Sequence, residues 1–153
     1  VADENGKANE MSENALAAAA GRVLENLAEL EPELVNAGIF DGDRRPVATS
    51  SENASWPGEA AALLEALEAG SADEDLDSAH VASTAGEVFV VSESGLSLVA
   101  VTGRYVLASL TSYDMRMALR DVARAGSGQT GGGTWTGIRK VTPEAENGEP
   151  DNA

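Results

Sequence analysis

The sequence contains no cysteine, one histidine, and only two residues each of tryptophan, tyrosine and phenylalanine. Without a thiol there is no disulfide framework, no thiolate zinc set and no cysteine nucleophile. His80 stands alone, so neither a histidine zinc set nor a serine–histidine pair can be assembled within one chain, and it reads as a structural strand residue. Positive charge is also scarce: 10 basic side chains against 26 acidic ones give a formal net charge of -16 and a pI near 4.2. A protein that neutralises phosphates needs a basic footprint, which argues against nucleic acid or an anionic membrane surface as the main partner. No stretch approaches 18 apolar residues, and the first 15 residues lack a basic start followed by an apolar run. Neither a membrane span nor a signal peptide is expected, and the expected location is the cytoplasm.

What is present suffices for one folded unit. The apolar fraction is 42% of 153 residues, and a chain of about 150 residues buries roughly 68 to 70% of its unfolded surface. The charge is unevenly placed. Residues 1–80 hold 18 acids and four bases, residues 81–125 hold four of each, and residues 126–153 hold four acids against Arg139 and Lys140. An acidic front half and a neutral back half are expected to meet different things.

Residues 1–11 are polar and aperiodic and are expected to form an acidic disordered tail. Residues 126–153, rich in Gly, Thr, Glu and Pro, are expected to form a second tail, which leaves 12–125 as the folded domain. With Ser12 as N-cap, Leu16, Ala20, Val23, Leu27 and Leu30 share one helical face, and Pro32 ends the helix. LVNAGIF (34–40) and PVATS (46–50) flank DGDRR as a hairpin. Pro57 suits a helical first turn, and Ala60, Leu63, Leu64 and Leu67 mark the apolar face of a middle helix that closes at Gly70. HVASTA (80–85), EVFVVS (87–92) and SLVAVT (97–102) read as a three-stranded meander. Val88 to Val91 are apolar in succession, so helices are expected on both faces of the sheet. A last helix over 112–125 takes Ser112 as cap and turns Met115, Leu119 and Val122 inward. The order is helix, two strands, helix, three strands, helix: an α+β sandwich with a five-stranded antiparallel sheet.

This order, with AGIFDGDRRPVATS in the first hairpin, GEVFVVSESGLSLVAVTGRYVLASL in the meander and YDMRMALRDVAR in the last helix, resembles the Roadblock family of dynein light chains and MglB-like regulators. The resemblance covers 12–125 and is nearest to the prokaryotic members that regulate Ras-like GTPases. It implies a Roadblock/profilin-like fold and a homodimer, or a heterodimer with a paralogue, in which third strands pair edge to edge and middle helices pack. Ala60, Leu63, Leu64 and Leu67 of the middle helix, with Val81 and Ser83 of the third strand, are the implied dimer contacts. A small Ras-like GTPase or a scaffold is the implied partner. No catalytic residue and no cofactor is carried over, so the chain reads as a non-enzymatic regulator, with a dimeric adaptor that leaves GTP hydrolysis unchanged as the alternative.

Several constellations have two readings. Arg116, Arg120 and Arg124 recur every four residues and form one positive stripe: either a docking strip for a partner, or a set of bases paired with Asp114, Asp121 or the acidic first helix. Trp56 is a partner anchor or a packing staple at a helix entrance. Ala60, Ala61, Ala62, Ala66 and Ala69 either admit a second helix or simply favour helicity. The weakly charged strand HVASTA would be a hazardous sheet edge unless covered, and pairing with its copy would cover it. Asp73, Asp75 and Asp77 echo a calcium loop, but Ser78 and Thr84 stand where glycine and glutamate are needed, so a solvated acidic loop is expected. GSGQTG (126–131) fits G-x-G-x-x-G by letters only, because it follows a helix and opens none. TWTGIRKV (134–141) joins an aromatic, branched apolars and two bases, a composition suited to a short docking peptide or to plain disorder.

Overall fold

A computed structural model describes residues 2–71 and 74–127. The elements run α1 (Ala2–Leu30), β1 (Leu34–Phe40), β2 (Pro46–Thr49), α2 (Trp56–Gly70), β3 (Ser78–Ala82), β4 (Glu87–Glu93), β5 (Leu96–Thr102) and α3 (Ala108–Gly126). The five strands form one antiparallel sheet in the order β2-β1-β5-β4-β3, which makes β2 and β3 the edges. The expected element order and the α+β sandwich are both observed.

The succession of apolar residues in β4 is resolved by the pleat, which sends neighbours to opposite faces. Phe89 and Val91 join Ile39, Leu98 and Ala100 under α1 and α3, where Ala20, Leu24, Leu27, Met115, Leu119 and Val122 complete the larger core. Val90 faces the other way with Val99 and Phe40, under Trp56, Ala60 and Leu64 of α2. Two antiparallel helices cover one face and a single helix covers the other. The pair α1–α3 is locked at one end by Thr111, whose buried Oγ1 donates to Glu31 Oε2 at 2.6 Å. At the other end Gly126 lies so close to Leu16 that a Cβ would approach its Cδ1 to 2.8 Å.

Several boundaries differ from expectation, and the larger differences have a clear physical reason. The expected tail over 1–11 is not a coil in its described part: α1 already runs from Ala2, and residues 6–15 are exposed. Once Ala20, Leu24 and Leu27 hold a helix against the sheet, each further residue adds a hydrogen bond without a new nucleus, and no proline interrupts the extension. α3 starts at Ala108 rather than at Ser112, and its cap, Leu107, has no side-chain bond. The Thr111 hydroxyl is engaged by Glu31, and the Thr111 N–H already donates to Leu107 O. β3 stops at Ala82 rather than 85, because the N–H and Oγ of Ser83 both donate to Gly86 O and close the turn. α3 reaches Gly126, one residue into the stretch expected as the second tail; residues 128–153 lie outside the described residues.

Glycine is required at two places. A Cβ at Gly38 would stand 3.0 Å from the Trp56 ring, so the bare backbone makes room for the indole. At Gly86, which opens β4, a Cβ would lie 2.5 Å from Thr102 O, a contact that backbone cannot yield. Gly86→Ala is expected to destabilise the fold measurably. Leu64→Ala, which empties the centre of the smaller core, is expected to cost about 2–5 kcal/mol. Urea unfolding followed by circular dichroism checks both.

Candidate interaction surface

The middle helix and third strand are placed as the dimer reading requires, but their residues divide. Ala60 and Leu64 are buried against the chain's own sheet, which corrects their assignment as contacts for a second copy. Leu63 and Leu67 are half-buried beside them. The outward face of α2 is instead made by Ala62, Ala66 and Ala69, all exposed, between Glu59 and Glu65. Val81 is 54% exposed, opposite Val88 in the register, and Val88 packs on the α2 side. Ser83 belongs to the β3–β4 turn, its hydroxyl committed to Gly86 O at 3.1 Å, which corrects its placement in the strand.

The outer rim of β3 is uncovered among the described residues. Ser92 N–H donates to Asp77 O, and Ser83 N–H to Gly86 O. With the register Ala79↔Val90 and Val81↔Val88, odd-numbered residues therefore bond to β4, and the N–H and C=O groups of Ser78, His80 and Ala82 point outward. Such a row is a template for another strand. Next to it, the half-exposed Leu63, Leu67, Leu76, Val88 and Val101 surround α2, because one helix is too narrow to cover this face.

The arginine stripe does not stand free. Arg116 donates to Glu93 Oε1 at 3.1 Å and to Asp77 Oδ2 at 3.2 Å, Arg120 also donates to Glu93, and Arg124 donates to Asp121 at 3.1 Å. The geometry carries the reading in which the stripe meets the protein's own acids. Asp121 is one of the partners the sequence offers and Glu93 and Asp77 are not; among the described residues neither Asp114 nor α1 pairs with the stripe. Of the two readings of Trp56, the geometry carries the packing staple and not the partner anchor: it is 8% exposed and lies over Gly38 and Phe40.

His80 lies flat on Phe89, with ring centroids 4.3 Å apart, and its Nε2 is 2.7 Å from Glu87 Oε1. Glu87 Oε2 accepts the Tyr105 N–H at 2.9 Å, which ties the rim of the sheet to the β5–α3 connection. Asp77 belongs to the Arg116 pair and Asp75 is exposed, while Asp73 lies outside the described residues, as do 128–131 of the glycine-rich stretch and all of TWTGIRKV. Among the described residues no group of three His, Asp or Glu could hold a metal ion. None of their helices is long and apolar enough to cross a membrane.

Sequence reasoning missed one surface. Tyr105, Leu107, Leu110 and Tyr113 are each more than half exposed, at the entrance to α3. The run YVLASL was the available signal, but it falls between two periodic elements and fits neither pattern.

Comparison with solved structures assigns the architecture. A Roadblock/LC7 domain from Streptomyces avermitilis is 20% identical, with a TM-score of 0.57 over 64% of this chain and 89% of that one. MglB, a gliding protein of Thermus thermophilus, is 15% identical, with a TM-score of 0.58 over 74% and 93%. The chain has the Roadblock/LC7 fold. A third such structure, MglB of Myxococcus xanthus, matches at 9% identity and a TM-score of 0.57 over 76% and 91%, so the Roadblock/LC7 architecture persists where almost no sequence is shared. No protein-family model matches the chain, and no curated protein matches it by sequence.

The carboxylates give a pH prediction. Hydrogen bonds from Arg120 and then Arg116 hold Glu93 below the usual carboxylate range, against the opposing effect of burial, and the His80 bond does the same for Glu87. A carboxylate lowered on folding stabilises the fold above its unfolded pKa of about 4.3, and that support is lost as pH falls through the folded value. Glu93→Gln is expected to lower stability at pH 7 and to flatten the fall of the urea midpoint below about pH 4.5. Parallel midpoint curves for parent and variant would contradict the pairing.

Proposed function

We propose that this chain is a dimeric Roadblock-type regulatory module that binds a small Ras-like GTPase and modulates its nucleotide cycle. The single observation that carries the reading is the combination of the Roadblock/LC7 fold with an uncovered β3 rim beside an under-covered α2 face. Two copies related by a two-fold axis join their β3 strands into one ten-stranded sheet. This satisfies the outward groups of Ser78, His80 and Ala82 and brings the alanine-faced α2 helices together. Val81, Leu63 and Leu67 then pass from half-exposed to covered. A related structure described as MglB with a tetrameric arrangement, 15% identical with a TM-score of 0.58, supports assembly as a property of this architecture.

The chemistry of GTP hydrolysis belongs to the GTPase in this reading, and the regulator supplies shape. Of the partner contacts proposed from the sequence, Arg116 is the most tightly committed to internal acids. Arg120 and Arg124, with side chains 49% and 44% exposed, keep part of their guanidinium groups accessible. The apolar surface of Tyr105, Leu107, Leu110 and Tyr113 is the better candidate for the GTPase contact, because its desolvation requires no ion pair to be broken.

Two measurements test the reading. Ala82→Pro removes an outward N–H while leaving the β3–β4 ladder intact, so light scattering is expected to move from dimer to monomer mass with the fold retained. Addition of the parent protein to a co-purifying Ras-like GTPase is expected to change its turnover, and Tyr113→Ala to reduce that effect. A monomeric parent would remove the dimer, and binding without any change in turnover would leave an adaptor.

A further inference from the structure

A groove of about 410 Å³ runs between α1 and α3 on the side away from the sheet. Its apolar lining is Val23, Leu27, Leu30, Met117 and Ala118. Glu29, Asp114 and Asp121 edge it with negative charge. Asp114 is half-buried there and has neither a hydrogen-bond donor nor a cation paired with it among the described residues. Burial, and then repulsion from Glu31, push its carboxyl above the usual aspartate range. Leu30 is 64% exposed at the mouth of the groove. An apolar cleft edged by the carboxylates of Asp114 and Glu29, unpaired among the described residues, with Asp121 already held by Arg124, calls for an occupant that carries large apolar side chains with bases close behind them.

The chain itself supplies that chemistry once outside the described residues. Trp135, Ile138 and Val141 flank Arg139 and Lys140, the only bases after Arg124. We propose that residues 134–141 dock in the α1–α3 groove of their own chain, Trp135 and Ile138 filling the apolar cleft and Arg139 and Lys140 facing Asp114 and Glu29. The reach is sufficient. Residues 127–134 can span about 26 Å when extended, whereas Met117 lies only about 14 Å back along α3 from Gly126. A linker this short gives an effective concentration in the millimolar range, so an intrinsic dissociation constant of about 0.1 mM leaves the segment docked roughly ten to one. Docking also brings the positive charge of the tail to the acidic half of the molecule. The proposal does not depend on a GTPase partner.

The tryptophan content makes it measurable in the full chain. Trp56 and Trp135 are the only two tryptophans, so subtracting the emission of a Trp135→Phe variant isolates Trp135. The expected result is blue-shifted Trp135 emission, with acrylamide quenching several-fold weaker than for free tryptophan. Leu30→Glu, at an exposed position that leaves the core intact, and Arg139→Glu with Lys140→Glu are each expected to return Trp135 to solvent-like emission, with unchanged circular dichroism. Trp135 already solvent-exposed in the parent would overturn the proposal. So would shielding that survives both variants, shielding that rises with protein concentration (a second copy), or shielding that appears only when another protein is added.

Discussion

Strands β4 and β5 are apolar on both sides, and everything else in the structure answers to that. Phe89, Val91, Leu98 and Ala100 need one cover, while Val90 and Val99 need another. Burial of such side chains is the main favourable term in folding, at about 25 cal/mol per Å² of apolar surface, so neither face can be left to water. The chain solves the two sides unequally. The α1–α3 pair closes its face almost completely and is pinned at both ends, by Glu31–Thr111 and by the close approach of Leu16 to Gly126. One fifteen-residue helix, α2, is all that serves the other. The surplus of half-exposed apolar residues around α2 and the bare rim of β3 follow from that imbalance.

Electrostatics follows the same division. In a sequence of net charge -16 the arginine stripe is the one organised positive feature. Folding brings Glu93, at the end of β4, between Arg116 and Arg120, and brings Asp77 to the outer side of Arg116. These contacts fasten α3 across the sheet, and they commit Arg116 and part of Arg120 to the chain's own acids. Among the described residues Asp114 and Glu29 stay without a paired cation at the α1–α3 groove, and the nearest bases in the sequence without a described position are Arg139 and Lys140.

The elements were legible in the sequence to the extent that local chemistry controls them. Pro32 stops α1, Pro57 sits in the first turn of α2, and the turn DGDRR separates β1 from β2, all as the residue types require. The consecutive apolar run in β4 announced helices on both faces. Misplaced boundaries had local and tertiary causes. Ser83 closes a tight turn on Gly86, three residues on, and α3 starts upstream of Ser112, where Thr111 is held by the distant Glu31. The alanines of α2 were noticed as a set, but periodicity alone could not say that Ala60 faces the sheet while Ala62, Ala66 and Ala69 face outward.

By itself, then, the sequence determined the order of elements, the α+β class, the exclusion of thiol chemistry and the likeness to Roadblock regulators, because periodicity, turn residues and composition act over a few neighbouring positions. Only the tertiary structure decided which apolar residues are spent on the chain's own core and which remain for others. Trp56, Ala60 and Leu64 went inward, and Val81, Tyr105, Leu107, Leu110 and Tyr113 stayed out. It also decided that the arginines meet Glu93 and Asp77, residues 23 to 39 positions away in the sequence. Partners so distant along the chain are chosen by the packing of helix on sheet, which no local pattern encodes.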